Sequence, residues 1–189
     1  MILVTGGAGF IGSNLLAGLE ARGASELAVC DRLGNGDKWR NIAKRELAAF
    51  VQPERLIEFL DSNRAAIETV FHLGAVSSTT EPDSDLIVDS NFTLSLALWD
   101  WCAKHGKRLI YASSAATYGD GTQGFDDDGS VAHLAQLRPL NAYGWSKNAF
   151  DRRVARIVAS NGARPRQWAG VKFFNVYGPN EYHKGAMAS

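Results

Sequence analysis

A doubly wound α/β fold built on a parallel sheet is predicted by three observations. A short apolar run, Ile2-Leu3-Val4, precedes a glycine-rich turn, Thr5-Gly6-Gly7-Ala8-Gly9-Phe10-Ile11-Gly12, that passes directly into an apolar-periodic helix. A second apolar run, Leu27-Ala28-Val29-Cys30, ends in Asp31, 19 residues beyond Gly12. Further strand-like runs then alternate with helical patterns along the chain, the order expected of parallel strands joined by crossover helices.

The turn carries a chemical expectation. Gly6 and Gly7 can take backbone angles closed to other residues, Gly9 lets the main chain approach a pyrophosphate, and Gly12 lets the helix lie close to the strand. The free amide hydrogens at the helix start, with the positive end of its dipole, then face an anion. The glycines satisfy two spacings, Gly7, Gly9, Gly12 and Gly6, Gly9, Gly12. Alone they would be an ordinary surface turn. With a strand before, a helix after and an acid closing the second strand, they read as a Rossmann-like dinucleotide site.

The elements follow in order. Helix one runs from about Gly9 to Ala21, with Ile11, Leu15, Leu16 and Leu19 on one stripe and Gly23 as its stop. Strand two ends at Asp31, where an acid accepts the adenosine ribose hydroxyls and favours NAD. Arg32 and Lys38 nearby offer a cationic pocket for a 2′-phosphate if Asp31 turns away, whereas Lys44 and Arg45 read as a solvated basic face. Ala48 to Val51 is a weak strand, and Pro53 opens a helix ending near Asn63. Thr69 to Leu73 is a buried strand running into Gly74-Ala75, with His72 as a packed core histidine.

Asp83 to Lys104 reads as one long helix with Asn91 in its middle, an unfavoured place for asparagine unless it holds a neighbouring loop. Arg108 to Ala112 is a strand that delivers Ser113 and Ser114 at its carboxyl end, where open α/β sheets place their ligands. Gly119 to Arg138 reads as irregular, with Asp126-Asp127-Asp128 a solvated loop. Asn141 begins a helix lasting to about Ser160, and Gly170 to Asn175 is the last strand, leading to Val176-Tyr177-Gly178-Pro179.

Composition narrows the function. At 189 residues the chain suits one domain, with 20 basic and 20 acidic residues and formal net charge zero. This gives no broad basic footprint for nucleic acid or an anionic membrane. Cys30 and Cys102 lack paired spacing and read as buried thiols in a reducing compartment, so a cytoplasmic location is expected. No transition-metal ligand motif is present, and no run of apolar residues is long enough to span a membrane.

The chemistry concentrates in Tyr143-Gly144-Trp145-Ser146-Lys147, which puts a phenol and an ammonium at i and i+4 on one helix face. A lysine cation beside a tyrosine is expected to lower the phenol's pKa and let Tyr143 take or give a proton. Any surface helix can hold this spacing. Its significance comes from the order of glycine turn, acid, serine pair, then tyrosine and lysine.

This set resembles the extended short-chain dehydrogenase/reductase family of NAD(P)-dependent nucleotide-sugar epimerases and dehydratases, over essentially the whole chain. The resemblance implies that Ser114 hydrogen-bonds the reacting oxygen, Tyr143 is the acid/base, and Lys147 holds the nicotinamide ribose. It places Gly6, Gly9, Phe10, Ile11, Gly12, Asp31, Arg32, Lys38, Leu73, Gly74, Ala75, Val76, Ser77, Asn91, Lys147 and Val176 on the cofactor side. A narrower likeness, to the ADP-heptose 6-epimerases, lies in Phe10 to Asn14, Ser77 to Glu81, Tyr111 to Gly119, and Phe174 to Pro179 with His183 to Ser189.

That likeness implies a second acid/base, Lys184, and substrate-side positions at Ser78, Asn175, Lys184 and Ala186. It implies NADP as cofactor, with NAD as the alternative, and Lys38 on the 2′-phosphate. A cofactor-side lysine of some members falls on Pro53 here, and a substrate-side serine on Ala186. The implied reaction inverts C6 of an ADP-heptose, a precursor of the lipopolysaccharide core, by transient oxidation. The family chain continues into a smaller carboxyl-terminal lobe that binds the nucleotide sugar, so the 189 residues read as a fragment lacking that domain. Such a fragment is expected to expose apolar surface, self-associate and turn over undetectably. Two rivals are another family reaction, a 4-epimerase or a dehydratase, and a cofactor-binding module without turnover. Ala115 and Ala116 after Ser114 count against a dehydratase, which would carry an acid pair there.

Overall fold

The structure, a computed structural model, describes residues 1–181. The chain folds as two compact units, Met1–Gly74 with the segment from Asn175, and Ala75–Phe174. The expected Lys184 and Ala186 lie outside the described residues.

In the first unit, β1 (Ile2–Thr5), β2 (Leu27–Cys30), β3 (Ala49–Val51) and β4 (Thr69–His72) lie in the order β3-β2-β1-β4. All the pairings are parallel, with Ile2 beside both Leu27 and Thr69, and Ala28 beside Ala49. Leu3, Val4 and all four residues of β2 are buried, because a parallel strand covered on both faces needs apolar side chains in succession rather than in alternation. Helix α1 (Phe10–Ala21) sets Leu16 against Val4, Leu27, Val29 and Ile42. Three-residue β3 is followed by a 3₁₀ turn at Pro53–Arg55 and then α2 (Leu56–Ser62), so the proline opens the helical segment as expected.

Two readings change in this unit. Asp37–Asn41 forms a 3₁₀ turn, unforeseen because five residues carry no periodicity. Arg45 is not part of a solvated face: it is half-buried in an ion pair with Glu20, whose other oxygen accepts from Glu46 N at 3.1 Å. Helix α1 brings that carboxylate to the loop, which spacing along the chain does not show. Lys44 is exposed, as expected.

The second unit pairs β5 (Arg108–Ser114) with β6 (Gln167–Phe173) in parallel, from Arg108 beside Gln167 to Ser114 beside Phe173. Helix α6 (Ala142–Ala159) packs Phe150 edge-on against Tyr111, centroids 4.8 Å apart. The expected single helix over 83–104 is α3 (Ser84–Ile87), a π-helical turn (Val88–Thr93) and α4 (Leu94–Lys104). Asp83 caps its start, its side chain accepting from Leu86 N at 2.9 Å. Trp99 is buried beneath Trp168 and donates to Ala163 O at 3.1 Å.

The last strand begins at Gln167 rather than Gly170, and ends at Phe173 rather than Asn175. Gly170 lies inside the strand because the Tyr111 ring occupies the space of its absent side chain, a Cβ there meeting the phenol at 2.5 Å. Within the supposedly irregular 119–138, Val131–Gln136 is helical (α5). Ser130 caps it, accepting from His133 N at 3.2 Å, and Leu134 is buried with Tyr118 and Leu137. One buried leucine leaves no helical stripe to read. Asp126, Asp127 and Asp128 are exposed.

Candidate active site

The glycine turn is as tight as its sequence implies. Gly6 has φ +69°, and a Cβ on it would meet the Gly74 backbone at 2.7 Å. On Gly12 a Cβ would strike Gly6 O at 2.2 Å, so the first turn of α1 lies on the loop with no space for a side chain. Gly9 caps α1 and offers no side chain, which leaves the helix's first amide hydrogens to an anion. Ile11 is half-buried and Phe10 buried.

Asp31 is buried and turned toward this loop: one oxygen accepts from Ala8 N at 2.9 Å, the other from its neighbour Arg32 N at 2.7 Å. Lys38 Nζ is 2.5 Å from Asp31 Oδ1 and 3.0 Å from Arg32 O, while the Arg32 guanidinium pairs with Glu54. The two cations of the expected 2′-phosphate pocket therefore each have a carboxylate partner.

Thr5, named above only as a residue of the turn, is a second brace. Its hydroxyl lies 2.7 Å from His72 Nδ1 and accepts from Gly74 N at 3.0 Å, which fixes the end of β4 against the loop and gives the buried histidine its hydrogen bond. Leu73 N donates to Thr5 O at 3.1 Å. Sequence reasoning also missed three asparagines. Asn14 Nδ2 donates to Phe10 O (2.8 Å) and Pro179 O (2.9 Å), Asn41 Nδ2 to Ala8 O (2.9 Å), and Asn180 Nδ2 to Ser13 Oγ (3.1 Å). Asn14 and Asn180 fasten the segment after Val176 to the first turns of α1, and Asn41, which also donates to Asn180 O at 3.4 Å, ties it to the glycine turn. Asn180, at φ +72°, adopts the left-handed backbone that asparagine tolerates better than most residues.

In the second unit, Ser114 ends β5 half-buried, and its Oγ accepts from Ala116 N at 3.1 Å, opening a 3₁₀ turn over Ala115–Tyr118. Ser114 is also the neighbour that acts on the Tyr143 phenol. Helix α6 is started by Asn141, whose Oδ1 accepts from Gly144 N at 2.8 Å. Gly144 lets the helix approach the serine turn: a Cβ there would meet Ala116 O at 2.6 Å. Tyr143 and Lys147 follow on one face, as the spacing requires.

Asn91 does hold a loop. Its Oδ1 accepts from Val76 N at 2.8 Å, and its Nδ2 donates to Val76 O at 2.9 Å and to Ser146 Oγ at 3.1 Å. Ser146 donates to Tyr143 O at 2.7 Å. The π-helical turn carries this buried asparagine, a local irregularity of the kind that gathers at functional sites. Ala75, Val76 and Ser78 are half-buried, and Ser77, Asn175 and Tyr177 are exposed.

The electrostatics differ from the sequence expectation. Burial pushes the Tyr143 phenol above its ordinary value, and Ser114 is the influence that lowers it, in place of the expected lysine cation. Burial pulls Lys147 down from 10.5 to about 8, with the nearby Asp151 carboxylate acting in the other direction. No influence of Lys147 on the phenol stands against that burial, so desolvation decides its direction. Cys30 and Cys102 are buried and pushed up to about 12, which makes both inert as nucleophiles. Among the described residues, no helix is long and apolar enough to cross a membrane.

Comparison with known proteins bears on this arrangement. Residues 2–189 match the NAD dependent epimerase/dehydratase family. The chain belongs to this family. It is 48% identical to the ADP-L-glycero-D-manno-heptose-6-epimerase of Fusobacterium nucleatum, over 100% of this chain and 56% of the relative. In structure it is similar to the Helicobacter pylori ADP-L-glycero-D-manno-heptose-6-epimerase, with TM-score 0.78, 29% identity and 100% and 59% of the two chains covered. It is also similar to the UDP-glucose 4-epimerase of Thermus thermophilus, solved as a complex with NAD, with TM-score 0.73, 32% identity and 94% and 56% covered. The doubly wound parallel α/β fold is thus that of the nucleotide-sugar epimerases, and the chain spans a little over half the length of these relatives.

Proposed function

We propose that the protein to which this chain belongs is an ADP-heptose 6-epimerase that uses a tightly bound NADP. The observation that carries the reading is Ser114 at the end of β5 acting on the Tyr143 phenol, with Lys147 one turn beyond Tyr143 on α6. The glycine turn fits a dinucleotide, since two of its glycines have no room for a Cβ and the α1 amide hydrogens have no side-chain cap. A bound dinucleotide supplies reversible hydride exchange with a carbinol carbon of the sugar.

The chain's own residues supply the rest. Gly6, Gly9 and Gly12 bring backbone against the pyrophosphate, Asp31 braces the turn through Ala8, and Lys147 holds the nicotinamide ribose. As hydride leaves the carbinol carbon one of Tyr143 and Lys184 takes the hydroxyl proton, and as hydride returns the other gives a proton back; the raised pKa of Tyr143 suits it to be the neutral donor of the second step. Inversion needs a proton donor on each side of one carbonyl, and Lys184 takes the other role. Support for NADP comes from Lys38, whose ammonium neutralises Asp31 where a bare carboxylate would repel a 2′-phosphate. The exposed Leu140, Trp145, Phe174 and Tyr177 support self-association, and the buried free thiols a cytoplasmic site.

A second reading is a dinucleotide-binding module without turnover, which the glycine turn and the start of α1 without a side-chain cap would serve by themselves. Assay of ADP-heptose epimerisation alongside NADP and NAD titrations separates the two. Tyr143→Phe should lower turnover by about 10²-fold or more with cofactor affinity unchanged; turnover within tenfold of the parent overturns the assignment. Lys38→Ala should weaken NADP more than NAD, and equal losses overturn the NADP choice.

A further inference from the structure

One buried carboxylate has no part in the chemistry above. Asp151 lies on α6 one turn beyond Lys147 and is 5% exposed. Its Oδ2 accepts from Ser113 Oγ at 2.6 Å and from Lys172 Nζ at 2.8 Å. Lys172 also donates to Thr117 Oγ1 at 2.7 Å, and Thr117 in turn donates to the Ser114 carbonyl at 2.8 Å. Asp151 is thus tied to Ser114 along two routes, through the preceding serine and through Lys172 and Thr117. Its Oδ1 is buried with no hydrogen-bond partner among the described residues.

We propose that Asp151 is a positioning residue for the Ser114–Tyr143–Lys147 set, a single buried negative charge shared between Lys172 and Lys147 that also locks the end of β5 to α6. The inference rests on the reading that Lys147 holds the cofactor. Four titratable groups from four elements face Asp151. Lys147 is on α6, Tyr111 on β5, Lys172 on β6, and Tyr118 on the 3₁₀ turn after β5, 5.1 Å beneath the Lys172 ammonium. Both phenols are raised by burial first, then Tyr111 by Asp151 and Tyr118 by Asp127, Asp151 and Asp126 in that order, so they remain neutral. Two cations and one anion are left, and the anion's division between the cations sets how firmly Lys147 keeps its proton.

The opposed signs of two variants test this. Lysine labelled with ¹³Cε and ¹⁵Nζ lets the Lys147 ammonium be titrated by NMR, with Lys147→Met assigning the signal. The parent midpoint should lie at about 8. Asp151→Asn should move it down by about one pH unit or more, tenfold in proton affinity. Lys172→Met should move it up, because it removes a repelling cation and frees Asp151 for Lys147. Asp151→Glu should restore the parent value to within a few tenths. A residue that served only packing would leave the midpoint in place, or move it the same way in both variants, and either result overturns the proposal. If Asp151→Asn does not fold, Lys172→Met and Asp151→Glu decide alone. NADP affinity should fall with rising pH through the Lys147 midpoint of each variant. If the midpoints shift as expected but affinity ignores them, Asp151's role stands and the assignment of Lys147 to the cofactor fails.

Discussion

Lys147→Met should make the folded chain more stable at neutral pH while weakening its hold on the cofactor. The magnitude follows from the lysine's displacement from 10.5 to about 8. Each pH unit is worth about 1.4 kcal/mol, so keeping this ammonium charged inside the fold costs about 3 kcal/mol at pH 7. The sign follows from the lowered value: the folded state prefers the neutral amine, so the lysine burdens stability least above 10.5 and most below about 8. Methionine matches the stem in volume and carries no charge, and its loss of packing should cost less than about 1.5 kcal/mol. Asp151 keeps Lys172 as its partner. Urea denaturation should therefore show a gain of about 1–3 kcal/mol at pH 7 that shrinks below about 1 kcal/mol by pH 10, in parallel with weaker NADP binding. A difference between parent and variant that is the same at both pH values, or a less stable variant at pH 7, would refute the reasoning.

Two other substitutions read the frame around the site. Gly12→Ala puts a methyl group 2.2 Å from Gly6 O with backbone on both sides, so about 1–3 kcal/mol of stability and most cofactor affinity should be lost; a variant binding as well as the parent contradicts the close approach. Asn91→Leu leaves Val76 N–H without its acceptor, for about 1–3 kcal/mol and faster exchange of that amide proton; unchanged exchange would mean the clamp does not order the loop.

The elements around the glycine turn were legible in the chain because their signals are local. β1, α1 and β2 came out within a residue of their observed bounds, since a fully apolar parallel strand, a glycine turn and a helical stripe each repeat at their own period. Ser114, Tyr143 and Lys147 were singled out by residue type and order, and the asparagine's hold on the Val76 loop was foreseen from its misfit in a helix. What the sequence by itself determined was therefore which side chains are available and on which element each sits.

Only the tertiary structure decided their partners. Arg32 pairs with Glu54, Lys38 with Asp31, Arg45 with Glu20 and Asp151 with Lys172, contacts between elements 7 to 25 residues apart that no periodicity encodes. The same holds for charge. Spacing places Lys147 beside Tyr143, but burial is a property of the folded environment, and it reverses the direction expected for the phenol and lowers the lysine instead. The early start of β6 and the short α5 were settled in the same way: the Tyr111 ring fills the space beside Gly170, and Leu134 finds its cover in Tyr118 and Leu137. Hydrogen bonds and desolvation depend on which groups fold against each other, so they enter only once the chain has closed on itself.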